Sequence, residues 1–324
     1  MNGQRLDKVT FDDFKTARKR LHEILQHPTP LLQNELLNME LGASLYIKAE
    51  SLLPVGSFKL RGAFNKIASL VETEKEPITV VTASAGNHAM GVSYASKVKG
   101  VTAVVAVPET TPQIKINTCR ALGAEVHPVG KTFDDAYDYA RKLAEEKNYM
   151  YVHNVADTDV VAGQGTVALE LLEQLPDVDQ IIVPLGGGGL VSGIAMAAKA
   201  INPSIRIIAV QAEGSSAYYQ TYKSGKIVTL PSTNTLAEGL SMKKPEPYLL
   251  DFINAWVDDI VEVKENSIRE AIKLFVLTGK LVVEASGAVA LAAVMENQVT
   301  LTDKTVLIAT GSNIDGSVLK DCVF

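Results

Sequence analysis

Two cysteines, Cys119 and Cys322, are all that this sequence of 324 residues holds. They are too few and too far apart for a disulfide framework or a zinc cluster, and they read as reduced thiols. Basic charge is in short supply as well. Against 31 Lys and Arg stand 37 Asp and Glu, a net charge of −6, so the broad positive field that favours nucleic acids or anionic membranes is missing. No apolar stretch reaches the ~20 residues of a membrane span before Gly, Lys or Glu interrupts it. The opening MNGQRLDKVTFDDFKTARKR never builds a signal-peptide core. A fixed-period repeat is absent too, which argues against solenoids and propellers. These absences leave a soluble, cytoplasmic protein with small-molecule partners, neither nucleic acid nor membrane among them.

What is present is ample apolar material, 47% hydrophobic against 21% charged, enough for a sizeable core in two domains of ~150 residues each. From residue 78 the chain alternates. Strand ITVVTA precedes a helix over 87–99, strand VTAVVAV a helix over 112–122, and a strand over 125–129 a helix over 134–147. A second set follows: a helix around 164–175, strand IIVPL, a helix over 190–200, strands IRIIAVQ and DDIVEV, helices over 265–278 and 285–296, and strand TVLIAT. The stretch 213–248, richer in Ser, Thr, Gly and Pro, reads as mostly irregular. Short β-branched runs alternating with helical periodicity predict an α/β protein of two doubly wound domains with mainly parallel sheets. Ligands are then expected in the cleft, at the C-terminal ends of the strands.

Four segments concentrate polar chemistry at such ends. Lys59, in SFKLRGA after the Pro54-Val55-Gly56 turn, opens a helical segment where burial and the positive helix end would favour a nucleophilic amine. Taken alone, a snorkelling surface lysine is the commoner reading. Ser84-Ala85-Gly86-Asn87-His88 joins a strand to a helix and suits either an anion such as a carboxylate or a plain N-cap. Gly186-Gly187-Gly188-Gly189-Leu190 leaves four backbone N–H groups bare before a helix, the makings of a phosphate cradle. A dinucleotide fingerprint fails there, because Val191 or Ser192 stands where the third glycine should be, and Gly130-Lys131-Thr132 lacks a Walker loop's first glycine. Thr310, in TGSN after the last strand, offers a hydroxyl to a ring nitrogen or marks a turn. Amine, anion turn, phosphate cradle and hydroxyl together describe the needs of a phosphorylated pyridine aldehyde.

In order, spacing and flanks, SFKLRGA, SAGNHAMGV, PLGGGGLVSG and TGSN resemble the serine/threonine dehydratase family of pyridoxal-phosphate enzymes, of the tryptophan-synthase-β fold type. The resemblance runs from about residue 29 to the C-terminus. It implies that Lys59 carries pyridoxal 5'-phosphate as a Schiff base, with Phe58 beside the ring and Asn87 on its 3-oxygen. Ser84, Ala85, Gly86, Asn87 and His88 would grip the substrate carboxylate. Gly186, Gly187, Gly188, Gly189 and Leu190 would cradle the phosphate, and Thr310 would meet the pyridine nitrogen. A small domain, 72–152, would be inserted into a large cofactor-binding one, 1–71 with 153–324, and the chains would form a homodimer or homotetramer.

The implied reaction is β-elimination from L-threonine or L-serine, with Lys59 both anchor and base, giving 2-oxobutanoate or pyruvate and ammonia. A dehydratase for another β-hydroxy amino acid such as 3-hydroxyaspartate, or a serine racemase-like enzyme, would keep the same motifs. A nicotinamide-binding or non-catalytic α/β protein would need no Lys59. Two departures count against racemisation. Ala85 stands where serine racemases carry a second serine, and of the two carboxylates with which those enzymes bind a divalent cation only Glu213 has a counterpart, Tyr219 replacing the other. No metal is therefore expected. Only 14 residues follow Thr310 (324 − 310), too few for the regulatory domain of biosynthetic threonine dehydratases, so a short catabolic type is expected.

Overall fold

The computed structural model describes residues 8–324. In chain order its elements begin with α1 (Phe11–Leu21), β1 (Leu31–Leu32), α2 (Glu35–Leu41), β2 (Leu45–Ala49), α3 (Lys59–Thr73), β3 (Thr79–Ala83) and α4 (Asn87–Lys99). There follow β4 (Thr102–Val107), α5 (Gln113–Ala121), β5 (Glu125–Pro128), α6 (Phe133–Glu146), β6 (Met150–Tyr151), α7 (Thr158–Gln174), β7 (Gln180–Pro184) and α8 (Gly189–Ile201). The chain closes with β8 (Arg206–Ala212), α9 (Ala217–Ser224), α10 (Pro247–Trp256), β9 (Asp259–Val263), α11 (Glu265–Leu277), α12 (Ala285–Met295), β10 (Thr305–Ala309) and α13 (Gly316–Val323).

Two compact units result, one of Lys59–Gln164 with the described chain up to Gln26, the other of His27–Phe58 with Gly165–Phe324. The first holds a four-stranded sheet, β5-β4-β3-β6, parallel throughout. The second holds six strands, β1-β2-β10-β7-β8-β9, of which only the edge strand β1 runs antiparallel. Parallel strands are covered on both faces, which is why TVLIA and QIIVP are apolar or buried at every position. This division counts the described chain up to 26, 59–71 and 153–164, all expected with the large domain, with the smaller sheet. The physical reason is helix packing. Gly91 of α4 lies so close to Lys59 that a Cβ there would sit 3.2 Å from the lysine carbonyl. Arg20 of α1 donates to Asn65 and Glu72 of α3.

In the larger unit α12 fills the core with small side chains, Ala285 to Val294 being buried without a break. Around it gather Phe275, Ile272 and Leu307. One element departs from expectation. Within 213–248, read as mostly irregular, α9 forms with Tyr218 fully buried, its hydroxyl donating to Gly187 O and accepting from Glu246 N, both at 3.2 Å. The expected helix around 164–175 also begins earlier, at Thr158, because Asp157 Oδ1 accepts from the N–H groups of Asp159 and Val160 and caps it. Among the described residues no helix is long and apolar enough to cross a membrane.

Candidate active site

In the smaller unit Lys59 is the first residue of α3, and its Nζ donates to the carbonyl of Asn154 at 2.9 Å. The turn 84–86 leaves β3 with Ser84 N on Ala106 O and Gly86 N on Ser84 Oγ. From it starts α4, 13 residues long, with Asn87 first and no side-chain cap. Ala85 contributes only a methyl group to this turn. An uncapped helix N-terminus beside a short hydroxyl suits a carboxylate.

The His88 ring is buried and turned to β6. Its Nε2 donates to Val152 O at 3.2 Å, a carbonyl being able only to accept, and its Nδ1 is buried without a partner. Burial, and then the charge of Lys59, push His88 down to about 3. Nearby, His153 Nδ1 accepts from the N–H groups of Val155 and Ala156 at 3.1 and 2.8 Å. Burial again, with Lys59 and Arg141 against an opposing Asp157, brings His153 down to about 4. Both rings are therefore neutral at physiological pH.

This neutrality makes the fold acid-labile. The unfolded chain protonates each imidazole near pH 6.5, the folded one only near 3 or 4. Below pH 6.5 the unfolded state binds more protons, so stability present above that pH is lost as pH falls toward the folded values. By pH 5 the loss reaches on the order of 2 kcal/mol per ring. Urea unfolding at pH 7 and pH 5 measures it. His88→Gln, which keeps a donor for Val152 and takes no proton, will shrink the difference by about that amount; an unchanged difference would contradict the assignment.

In the larger unit the glycine run joins β7 to α8. Gly188 is left-handed at φ +98° and stands as the N-cap of a 13-residue helix that has no side-chain cap. A Cβ on Gly186 would lie 2.9 Å from Gly239 O. Only backbone fits here, and Leu190 in the first turn is buried. Bare peptide groups at an uncapped helix end suit a phosphate, so these residues fit the group that the sequence implies. Thr310, buried at the end of β10, accepts from Phe58 N at 3.0 Å through its carbonyl. Ser57 bridges Gly311, and Asn313 Nδ2 donates to Val55 O at 2.8 Å. The segment leading into Lys59 is thus tied to the TGSN loop, a juxtaposition that neither motif announces.

Glu213 is exposed and accepts from Glu265 N at 3.1 Å, while the Lys223 ammonium lies over the Tyr219 ring. Among the described residues no group of three His, Cys, Asp or Glu is disposed to hold a metal. Sequence reasoning passed over Tyr218, Asn154 and His153. The last two lie in HNVAD, a stretch that carries no motif; only the fold brings them to Lys59.

The sequence profile described as "Pyridoxal-phosphate dependent enzyme" matches residues 23–311. The chain is 39% identical over 311 residues to an L-threonine ammonia-lyase of Thermotoga maritima, covering 96% of this chain and 77% of that protein. It is 38% identical over 310 residues to the catabolic L-threonine dehydratase TdcB of Escherichia coli K12, covering 95% and 94%. Among solved structures it resembles maize serine racemase, with a TM-score of 0.89 at 36% identity over 97% of this chain and 96% of that one.

Proposed function

From the premise that the chain belongs to the pyridoxal-phosphate-dependent enzymes, we propose that it eliminates water from L-threonine, L-serine or both. The enamine so formed is hydrolysed, taking a water back, and the products are 2-oxobutanoate or pyruvate, with ammonia. The L-threonine ammonia-lyase to which it is similar along 96% of its length supports this reading. A second reading, serine racemisation, is favoured by the likeness to the maize enzyme. The observation that supports elimination over racemisation is Ala85. Racemisation needs a proton donor on the face of Cα opposite Lys59, and the methyl group of Ala85 has no proton to give.

Lys59 would hold the cofactor, Gly186 to Leu190 its phosphate, Asn87 its 3-oxygen, Phe58 a ring face and Thr310 its ring nitrogen. When bound, pyridoxal phosphate supplies an electron sink for the pair left at Cα. The protein supplies the rest. The uncapped start of α4 and the Ser84 hydroxyl orient the carboxylate. Lys59 Nζ, when its amine is free, takes the α-proton, with Asn154 O as its resting partner. Thr310 offers an uncharged hydroxyl where a carboxylate would hold the ring nitrogen protonated, which favours quick elimination over longer-lived carbanion chemistry. The enzyme would work in the cytoplasm as a homodimer or homotetramer.

Keto-acid release from L-threonine, L-serine, D-serine and 3-hydroxyaspartate, with chiral analysis of residual serine, tests this. Expected are 2-oxobutanoate or pyruvate from the first two and D-serine formation at no more than a small fraction of elimination. Silence with both L-amino acids sinks the substrate assignment, and racemisation that outpaces elimination sinks the role given to Ala85.

A further inference from the structure

We propose that His153 is a positioning residue for Lys59: its Nδ1 shapes the 153–156 turn whose Asn154 carbonyl receives the lysine amine. The proposal rests on Lys59 being the cofactor lysine and catalytic base. The turn is folded by one atom. Val155 N and Ala156 N, two and three residues on, both donate to His153 Nδ1, and the carbonyl that shares a peptide unit with Val155 N, Asn154 O, accepts from Lys59 Nζ at 2.9 Å. Asn and Asp build the same turn with Oδ1, which is attached to Cγ as Nδ1 is. The imidazole therefore does here what an amide side chain does elsewhere.

Two further contacts hold the device rigid. The His153 ring meets Tyr151 edge-on, with centroids 6.0 Å apart and planes at 71°. At the other end of the turn, Asp157 caps α7 and accepts from Lys66 Nζ at 2.9 Å. The charged and titratable groups acting on His153 are Asp157, Lys59, Arg141 and His88, and burial above all keeps its Nδ1 lone pair available for the two N–H groups. A base held in place works because its lone pair meets the α-proton without a search. Loosening it by about 1 Å costs on the order of 10- to 100-fold.

Three substitutions separate this from a merely structural role. In His153→Leu the turn loses its acceptor, and kcat should fall on the order of 10- to 100-fold with KM little changed. His153→Asn restores the acceptor and should bring kcat back to within roughly threefold of the parent. His153→Asp keeps the turn but sets a negative charge near the amine, which raises its pKa. The acid limb of the kcat–pH profile should then move up by about one unit or more, and the pH titration of the bound cofactor's visible absorbance should move with it. Melting temperatures of all three holoenzymes accompany the kinetics. Parent-like kcat in His153→Leu overturns the proposal. So does failure of His153→Asn to recover at a parent-like melting temperature, or an unmoved absorbance titration in His153→Asp. Loss of the visible band in His153→Leu would instead mark general damage to the site and overturns it too. The underlying lysine assignment fails separately, if Lys59→Ala keeps that band.

Discussion

Lys59→Ala will bind no cofactor covalently and release no measurable keto acid, while unfolding within about 1 kcal/mol of the parent. The activity loss has two parts. A positioned acid–base group alone is worth roughly 10²–10⁴-fold, and loss of the covalent anchor comes on top. Stability should change little because the hydrogen bond to Asn154 O is of a kind that contributes about 1 kcal/mol net. The backbone at 59 is meanwhile fixed from outside the side chain. Phe58 N is bonded to Thr310 O, and Gly91 packs on the Lys59 carbonyl. The readouts are visible absorbance of the purified protein after pyridoxal-phosphate loading, keto-acid assay and urea unfolding. Lys59→Arg keeps the charge without a nucleophilic amine and should be as inactive. A nicotinamide-binding or non-catalytic α/β protein would not notice either change. Retained absorbance or activity in Lys59→Ala would refute the assignment.

Most strands of the two sheets are legible in the sequence because parallel strands, buried on both faces, must be written as β-branched runs: VVTA, AVVAV, IIV, RIIAV and TVLIA. Their helices are legible from punctuation. Gly100, left-handed at φ +66°, ends α4 where the helix over 87–99 was expected to end. Helix α9 is not legible, because AYYQTYKS holds several poor helix formers and is anchored by Tyr218, whose partners Gly187 and Glu246 are 31 and 28 residues away in sequence. Strand β2 is disguised by Lys48, a charged residue in the middle of a buried run. At the candidate site, Lys59 and the glycine run stand out because their chemistry is unusual in composition as well as position. For His88 the sequence shows a histidine in a turn expected to bind a carboxylate, but the ring is committed to Val152 O, so for an anion there it would be the backbone N–H that remains. His153 is invisible before folding, since a turn closed by a ring nitrogen leaves no mark in composition or spacing.

Lys48 carries the second large expectation: Lys48→Ala will cost about 3–5 kcal/mol, against a total stability of about 5–15 kcal/mol for a typical native domain. The side chain is wholly buried in β2, and its ammonium donates to Thr29 O at 2.7 Å, Glu170 Oε2 at 3.1 Å and Gln174 Oε1 at 2.7 Å. Thr29 in turn donates from its hydroxyl to Glu50, also buried, at 2.6 Å. Removing the ammonium takes the Lys48 ion pair away from the buried Glu170 carboxylate, which is far costlier than the pair itself is worth. The cost should therefore be conditional. Lys48→Met keeps most of the apolar stem yet should be nearly as destabilising as the alanine variant, because the charge rather than the volume is what is missed. Adding Glu170→Gln to Lys48→Met should recover a large share, and the recovered share is the coupling energy that a double-mutant cycle in urea reads directly. If Lys48→Met unfolds like the parent, the network is ornamental; if the double variant is no better than the single, the damage is packing. The location gives the result its reach. Lys48 and Thr29 belong to the segment before Lys59, Glu170 and Gln174 to the end of α7 well after it. The buried cation thus fastens the chain's early strand β2 to the later body of the same unit, the strand that pairs in register with β10 and so sets where Thr310 emerges. Loss of this fastening should weaken cofactor retention along with stability, although no atom of Lys48 reaches the candidate site residues through any of these contacts.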